Sequence, residues 1–109
     1  MKKPLPESLA DLGRFSEPAL LILISLADSP KHGYAMTQDI EAVSGQRLGP
    51  GTLYGAIARL EARKWIEPMP ADDRRRPYRL TGAGQRVLRA RLDSLRAVAK
   101  IGHARLVQN

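Results

Sequence analysis

The chain has 109 residues, the length of one domain with a single modest core, and a formal net charge of +7 from 18 lysines and arginines against 11 aspartates and glutamates. Because it has no cysteine, disulfides, thiolate metal sites and thiol nucleophiles are excluded. Its longest apolar run, residues 19–26, is far shorter than the about 20 residues that span a bilayer, and its charged, proline-containing start is a poor signal peptide. We therefore expect a cytoplasmic protein.

The first elements predicted are an N-terminal arm and a buried helix. Two prolines and a glycine keep residues 1–15 from forming a long helix, although Leu9 and Leu12 can dock locally. The first helix is expected to begin at Ser16, a good N-cap followed by a glutamate and a proline, and to end before the next proline. Residues 19–27 are apolar on nearly all sides, which indicates burial in the core or between subunits.

Two amphipathic helices joined by a short turn come next. The first is predicted over residues 33–44, where apolar side chains share one face and Gly45 supplies the C-terminal stop. The second begins at residues 50–52 and extends to about residue 64. Its apolar stripe consists of Leu53, Ile57 and Leu60. The opposite face is small, polar or basic and carries Thr52, Gly55, Ala58, Arg59 and Ala62.

The second half of the chain predicts a β-hairpin and a long helix. Residues 65–69 and 76–80 are typical of two short strands, each with a proline that suits an edge strand, joined by the polar loop 70–75. Thr81 is expected to cap a last helix that reaches about Val107 and is roughly 40 Å long. The predicted fold is mainly α with a small β-hairpin: a winged helix-turn-helix plus a long C-terminal dimerisation helix.

The positive charge is concentrated near this hairpin. Residues 71–91 hold seven arginines and only two acids, Asp72 and Asp73. A basic stripe of this kind is expected of a nucleic-acid-binding protein, although a solvated face on a basic protein explains the charge alone equally well. The element order favours DNA, because a helix-turn-helix places a helix with small outward residues in a groove about 12 Å wide.

The predicted DNA contacts lie on the helix-turn-helix and on the basic wing, residues 70–76. They are Tyr34, Thr52, Tyr54, Arg59, Arg63, Lys64, Arg74, Arg75 and Arg76. Two alternatives stay open from the residues alone: Tyr54 can be a half-buried packing residue, and the arginine-rich loop can be merely solvated.

The last helix predicts dimerisation. Leu88, Leu92, Leu95, Ala99, Gly102 and Leu106 follow the 4-3-4-3-4 spacing of a short coiled-coil seam. A helix folded back onto its own domain is the alternative. The candidate dimer contacts, including two from the first helix, are Leu20, Leu23, Leu88, Leu92, Leu95, Ala99 and Leu106.

Four segments in order resemble the PadR family of transcriptional regulators: His-Gly-Tyr-Ala-Met at 32–36, Gly-Thr-Leu-Tyr at 51–54, Arg-Leu-Glu at 59–61 and Tyr-Arg-Leu-Thr at 78–81. The resemblance covers residues 16–85. It implies a winged-helix fold, a dimer made through the first and last helices, repression of nearby promoters, and the short branch of the family with one C-terminal helix.

The chain departs from the family pattern at three positions. Gly55 stands where the family usually has proline, Lys64 lies near a usual glycine, and Pro77 replaces a second aromatic residue. A repressor that responds to a signal needs a site for a small-molecule effector, and the apolar dimer cleft between the first and last helices is the expected place for it. Some short members bind flat aromatic drugs between tryptophans of the dimer helix, whereas this helix has no aromatic residue.

These observations predict a sequence-specific DNA-binding regulator, a repressor that binds an inverted-repeat operator as a homodimer, with an arm at 1–15, a DNA-binding domain at 16–80 and a dimerisation helix at 81–109. A winged-helix protein-interaction module is the alternative. We expect no enzyme activity, metal or cofactor, since His32 is interpreted as a turn or cap residue and His103 is isolated.

Overall fold

A computed structural model of the protein describes residues 8–9, 12–13, 16–71 and 74–108, without the side chain of Ser16. The remaining residues of the predicted arm, the proposed capping side chain of Ser16, and Asp72 and Asp73 of the predicted loop lie outside this description.

The order of elements is the one predicted, and the helix bounds agree closely. The elements are α1 (Ser16–Asp28), α2 (Gly33–Ser44), α3 (Pro50–Ala62), β1 (Ile66–Pro68), β2 (Tyr78–Leu80) and α4 (Gly82–Val107). The two strands pair antiparallel, with Glu67 opposite Arg79 and forming an ion pair with it. Both strands are shorter than the predicted five residues. The Met69 N–H donates to the Pro77 carbonyl at 2.9 Å but Pro77 has no N–H to return the bond, and the Trp65 N–H donates to the Leu60 carbonyl at the end of α3.

Local capping explains where α2 begins and ends. The His32 ring Nδ1 accepts a hydrogen bond from the Ala35 N–H at 3.4 Å, which confirms His32 as a cap residue. Gly45 adopts the left-handed conformation, with φ +74°, and its N–H donates to the Glu41 carbonyl at 2.9 Å.

The C-terminal end of α3 has the hydrogen-bond pattern of a Schellman motif. The Trp65 N–H donates to the Leu60 carbonyl at 3.1 Å, and the Lys64 N–H donates to the Glu61 carbonyl at 2.9 Å. Lys64 itself is left-handed, with φ +61°, at the position that glycine usually fills in this motif. Trp65 is buried in the core.

The core forms around α1, which contacts α2, α3, β2 and α4 and is therefore apolar on nearly all sides. Leu9 and Leu12, from the segment before α1, are also buried in it, so their predicted docking is confirmed. The buried apolar side chains of the described residues are Leu9, Leu12, Ala19, Ile22, Leu23, Leu26, Met36, Ile40, Leu53, Ala56, Ile57, Leu60, Trp65, Ile66, Val87 and Leu88.

Candidate nucleic-acid interface

The helix α3 presents two distinct faces. Leu53, Ala56, Ile57 and Leu60 are buried, as the apolar stripe predicts. Thr52, Tyr54, Ala58 and Ala62 are exposed, and Gly55 and Arg59 are half-buried beside them. The outward face therefore consists of small side chains bordered by a hydroxyl, a phenol and a guanidinium, and no bulky aliphatic side chain keeps it from entering a groove.

Tyr54 stands over the start of α2. Its side chain is 56% exposed, so it is accessible for the predicted DNA contact, and its ring also packs on Gly33 as the alternative expects. A Cβ placed on Gly33 would lie 2.7 Å from the Tyr54 hydroxyl, so a side chain at position 33 would push the phenol away. Position 33 therefore requires glycine because Tyr54 lies so close to it, and not because of an unusual backbone angle. Tyr34, next to Gly33, is also exposed and accepts a hydrogen bond from Gln38 Nε2 at 3.3 Å.

The arginines of the wing lie beside these tyrosines. Arg74, Arg75 and Arg76 are all exposed, and the Arg75 Nη1 atom is 3.4 Å from Nε2 of His32. A shallow cleft of about 250 Å³ separates the wing from the starts of α2 and α3. It is lined by His32, Gly33, Tyr34, Tyr54, Arg74, Arg75, Arg76 and Tyr78. The structure therefore brings the predicted wing residues together with Tyr34 and Tyr54.

Tyr78 anchors the base of the wing. Its backbone pairs with Lys31 through two hydrogen bonds, of 2.9 and 3.1 Å, which attach β2 to the segment before α2. Burial raises the pKa of the Tyr78 hydroxyl, and the negative charge of Glu61 on α3 raises it further. The positive charge of Arg76 opposes this shift. The base of the wing is thereby attached to the segment before α2, within the electrostatic influence of Glu61 on α3.

Arg63 and Lys64 have different surroundings. Lys64 is exposed at the end of α3. Arg63 is half-buried: its Nη1 donates to the Arg59 carbonyl at 3.0 Å, its Nε is shielded from solvent, and its guanidinium lies 5.9 Å from the centre of the Trp65 ring. Arg63 thus covers the end of α3 and the core tryptophan.

One residue outside the predicted set lies at the other end of α3. Arg47 is exposed in the turn before the helix and lines a cavity of about 490 Å³ with Tyr34, Thr37, Leu48, Gly49, Pro50, Leu53 and Tyr54. Its place next to a helix N-terminus, where the backbone N–H groups attract anions, suits a phosphate contact. A basic residue directly before a recognition helix is the sequence signal that could have identified it.

The candidate dimer residues fall into two groups. Leu23 and Leu88 are enclosed in the core of the protomer and offer no surface to a second subunit, while Leu20 is half-buried. The outer part of α4 is exposed instead. Its large apolar side chains are Leu92, Leu95, Val98, Ile101, Leu106 and Val107, with the small Ala99 also exposed among them.

A metal site or a membrane-spanning helix would also bear on function. The described part of the chain contains no group of three or more histidines and carboxylates placed to hold a metal ion. None of the helices in that part has both the length and the apolar character needed to cross a membrane.

Comparisons with known proteins agree with this geometry. The model of the transcriptional regulator PadR-like family matches residues 22–90. An uncharacterised 37.1 kDa protein in a transposon of Streptomyces fradiae is 49% identical over 82 residues, which cover 75% of this chain and 24% of that protein. A transcriptional regulator of Mycobacterium tuberculosis is 43% identical over 72 residues, which cover 63% of this chain and 66% of that protein. The chain thus spans less than two thirds of either relative.

Solved structures show the same fold. A PadR family transcription regulator from Clostridium difficile superposes with a TM-score of 0.73 at 24% identity, covering 82% of this chain and 97% of that one. A PadR-like transcription factor from Bacteroides fragilis gives a TM-score of 0.74 at 19% identity, covering 88% of this chain and 96% of that one.

Proposed function

The chain belongs to the PadR-like family of transcriptional regulators, which are DNA-binding proteins and not enzymes, and from this premise we propose that it is a repressor that binds an inverted-repeat operator as a homodimer. The recognition helix α3 reads the major groove, and the wing, residues 70–76, follows the neighbouring backbone. In this arrangement phosphate contacts set the position of the protein, and base contacts set the sequence.

The observation that carries this proposal is the common surface of α3 and the wing. Thr52, Tyr54 and Arg59 lie on the outward side of α3, and the three wing arginines border the cleft beside Tyr54. Arginine suits both phosphates and narrow minor grooves, where the negative potential is strongest. Arg47 and Lys64 extend this basic surface at the two ends of α3, and Arg63 stabilises the end of the helix through its bond to the Arg59 carbonyl.

The homodimer follows from the exposed apolar side of α4. Val98 is 65% exposed and Leu106 is 71% exposed on a helix of 26 residues, most of which extends beyond the core. An apolar stripe of this length is expected to be covered, and a second copy packed across a two-fold axis covers both stripes at once. Such a dimer presents two recognition helices and therefore favours an inverted repeat.

A small-molecule effector is proposed for the cleft between α1 and α4. This cleft has a volume of about 280 Å³ and combines the apolar Ala27 of α1 and Leu92 of α4 with the charged Arg89, Asp93 and Arg96. Thermal-shift screening against phenolic and cationic aromatic compounds tests the site. We expect stabilisation by at least one compound class, and this stabilisation should disappear when Leu92 is replaced by arginine.

The DNA-binding proposal is tested with duplexes that the protein selects from a random-sequence pool, measured across a salt series. Replacing Arg74, Arg75 and Arg76 by alanine is expected to weaken binding strongly and to flatten the plot of log affinity against log salt by about 0.9 for each phosphate that is no longer neutralised. Arg86, Lys100 and Arg105 on α4 supply the matched control, since their replacement by alanine removes the same charge and none of them lines the cleft beside Tyr54. Equally weakened binding in the two variants, or failure to select any repeat, would contradict the proposal.

A further inference from the structure

We propose that Thr81 is a positioning residue that joins the end of α3 to the start of α4 and thereby fixes the angle between the DNA-reading helix and the dimer helix. The inference rests on the proposed function for its consequence, because α3 must read DNA and α4 must dimerise for the angle to matter. The joint itself is a feature of one protomer.

Thr81 makes three hydrogen bonds that connect the two helix ends. Its hydroxyl donates to the Lys64 carbonyl at 2.6 Å, and the same oxygen accepts from the Gly84 N–H at 3.0 Å. Its backbone N–H donates to the Trp65 carbonyl at 3.0 Å. A single side chain thus caps the N-terminus of α4 and satisfies a carbonyl left open at the C-terminus of α3.

The backbones are also in direct contact at this point. A Cβ on Gly84 would lie 2.0 Å from the Trp65 carbonyl oxygen and 2.8 Å from its carbonyl carbon. Glycine is therefore required for α4 to lie against the Trp65 backbone. Trp65 is itself fixed, since its ring is buried and its N–H closes the last turn of α3 on Leu60.

These bonds supply a directional restraint that the core alone lacks. Apart from this cluster, α4 is held mainly by apolar packing on α1, in the region of Val87 and Leu88. Apolar contacts are non-directional, whereas hydrogen bonds weaken steeply when they bend. Removal of the hydroxyl donor is therefore expected to leave the core intact and to widen the range of angles between α3 and α4.

Small angles matter because α4 is long. With a rise of about 1.5 Å per residue its 26 residues span about 39 Å, so a rotation of about 5° moves the far end by about 3.4 Å. That displacement equals about one base-pair step of DNA. In a dimer joined through α4, a wider range of angles at Thr81 therefore lets the two recognition helices bind half-sites at a wider range of spacings.

Three substitutions separate the joint from the helix cap. Thr81→Ser keeps both the donor and the acceptor. Thr81→Asp keeps a good N-cap acceptor but has no proton to donate to the Lys64 carbonyl. Gly82→Asp is the charge control, since it adds the same charge one residue later at an open position, where the nearest atom to a Cβ is Arg86 Nη1 at 3.7 Å.

The first measurement follows the angle without DNA. Since the chain has no cysteine, nitroxide labels at Ala58→Cys on α3 and Ala97→Cys on α4 report one distance within a protomer when the labelled protein is diluted with unlabelled protein. We expect a broader distance distribution in Thr81→Asp than in the wild-type, Thr81→Ser and Gly82→Asp proteins. Identical distance distributions in all four proteins would contradict the proposed role of Thr81, independently of any DNA binding.

The second measurement follows the spacing of half-sites. On duplexes selected by the wild-type protein, inserting or removing one base pair between half-sites is expected to weaken wild-type binding about tenfold. The same change is expected to weaken DNA binding by the Thr81→Asp protein only about twofold. The salt dependence of its binding should stay unchanged, because the number of neutralised phosphates is the same. Equal discrimination by the two proteins overturns the inference, whereas a wild-type protein that prefers no repeat overturns the proposed function.

Discussion

Lys64 and Arg74 are the two non-glycine residues with a left-handed backbone in the part of the chain that the structure describes, and Lys64 is the one at a helix end. It is left-handed, with φ +61°, at the end of a Schellman motif where glycine is the usual residue. The lysine is exposed at the end of α3, beside the surface proposed for DNA. Its positive charge is in a position to contact a phosphate there, although its backbone is strained.

The strain at Lys64 gives a prediction at the scale of one residue. Lys64→Gly is expected to stabilise the protein by about 0.5–1 kcal/mol, because glycine removes the steric cost of the left-handed conformation. Lys64→Ala removes the same charge without this relief and serves as the control. Thermal denaturation should rank glycine above alanine, and the reverse order would contradict the prediction. Both variants should bind DNA more weakly if Lys64 contacts a phosphate.

At the scale of elements, the segment before α1 is part of the core and not only an arm. Leu9 is fully buried and Leu12 is nearly so. In a domain of this size each buried side chain is a large share of the core, so the loss of either is expected to reduce stability. Their burial helps to explain why α1 can be apolar on nearly every side.

Leu9→Ala tests this role of the N-terminal segment. The substitution is expected to cost about 2–5 kcal/mol of unfolding free energy, because less apolar surface is buried and a cavity remains. Val43→Ala, at a side chain that is 62% exposed, should change stability by no more than about 0.5 kcal/mol. Chemical denaturation measures both, and comparable small effects would show that Leu9 does not contribute to the stability of the core.

At the scale of the whole molecule, the exposed apolar side of α4 is the surface proposed to pair two DNA-binding domains. Val98→Glu places a charge in the exposed apolar stripe and is expected to convert the proposed dimer into a monomer, because an unpaired charge is costly in an apolar interface. Ala97→Glu adds the same charge at an exposed position outside the apolar stripe.

Sedimentation equilibrium distinguishes these two variants. The Val98→Glu protein should also lose its preference for an inverted repeat over a single half-site, while its affinity for the half-site stays near that of the wild type. A dimer that persists in Val98→Glu would place the subunit contact elsewhere.

The sequence by itself determined the order of elements, the bounds of the helices, the caps at His32 and Gly45 and the family. These features depend on periodicity, capping and turn residues that lie close together in the chain, so they can be predicted without packing. It also identified the exposed face of α3, because the apolar stripe on the opposite side fixes which way the helix turns.

Only the tertiary structure decided which of the predicted residues share a surface. The sequence pattern predicts Leu23 and Leu88 as dimer contacts and Arg63 as a DNA contact. In the structure, the two leucines are enclosed in the protomer and Arg63 covers Trp65. The contact of Tyr54 with Gly33 and the joint at Thr81 connect residues far apart in the chain. Such contacts depend on how separate elements pack, and local sequence patterns do not contain that information.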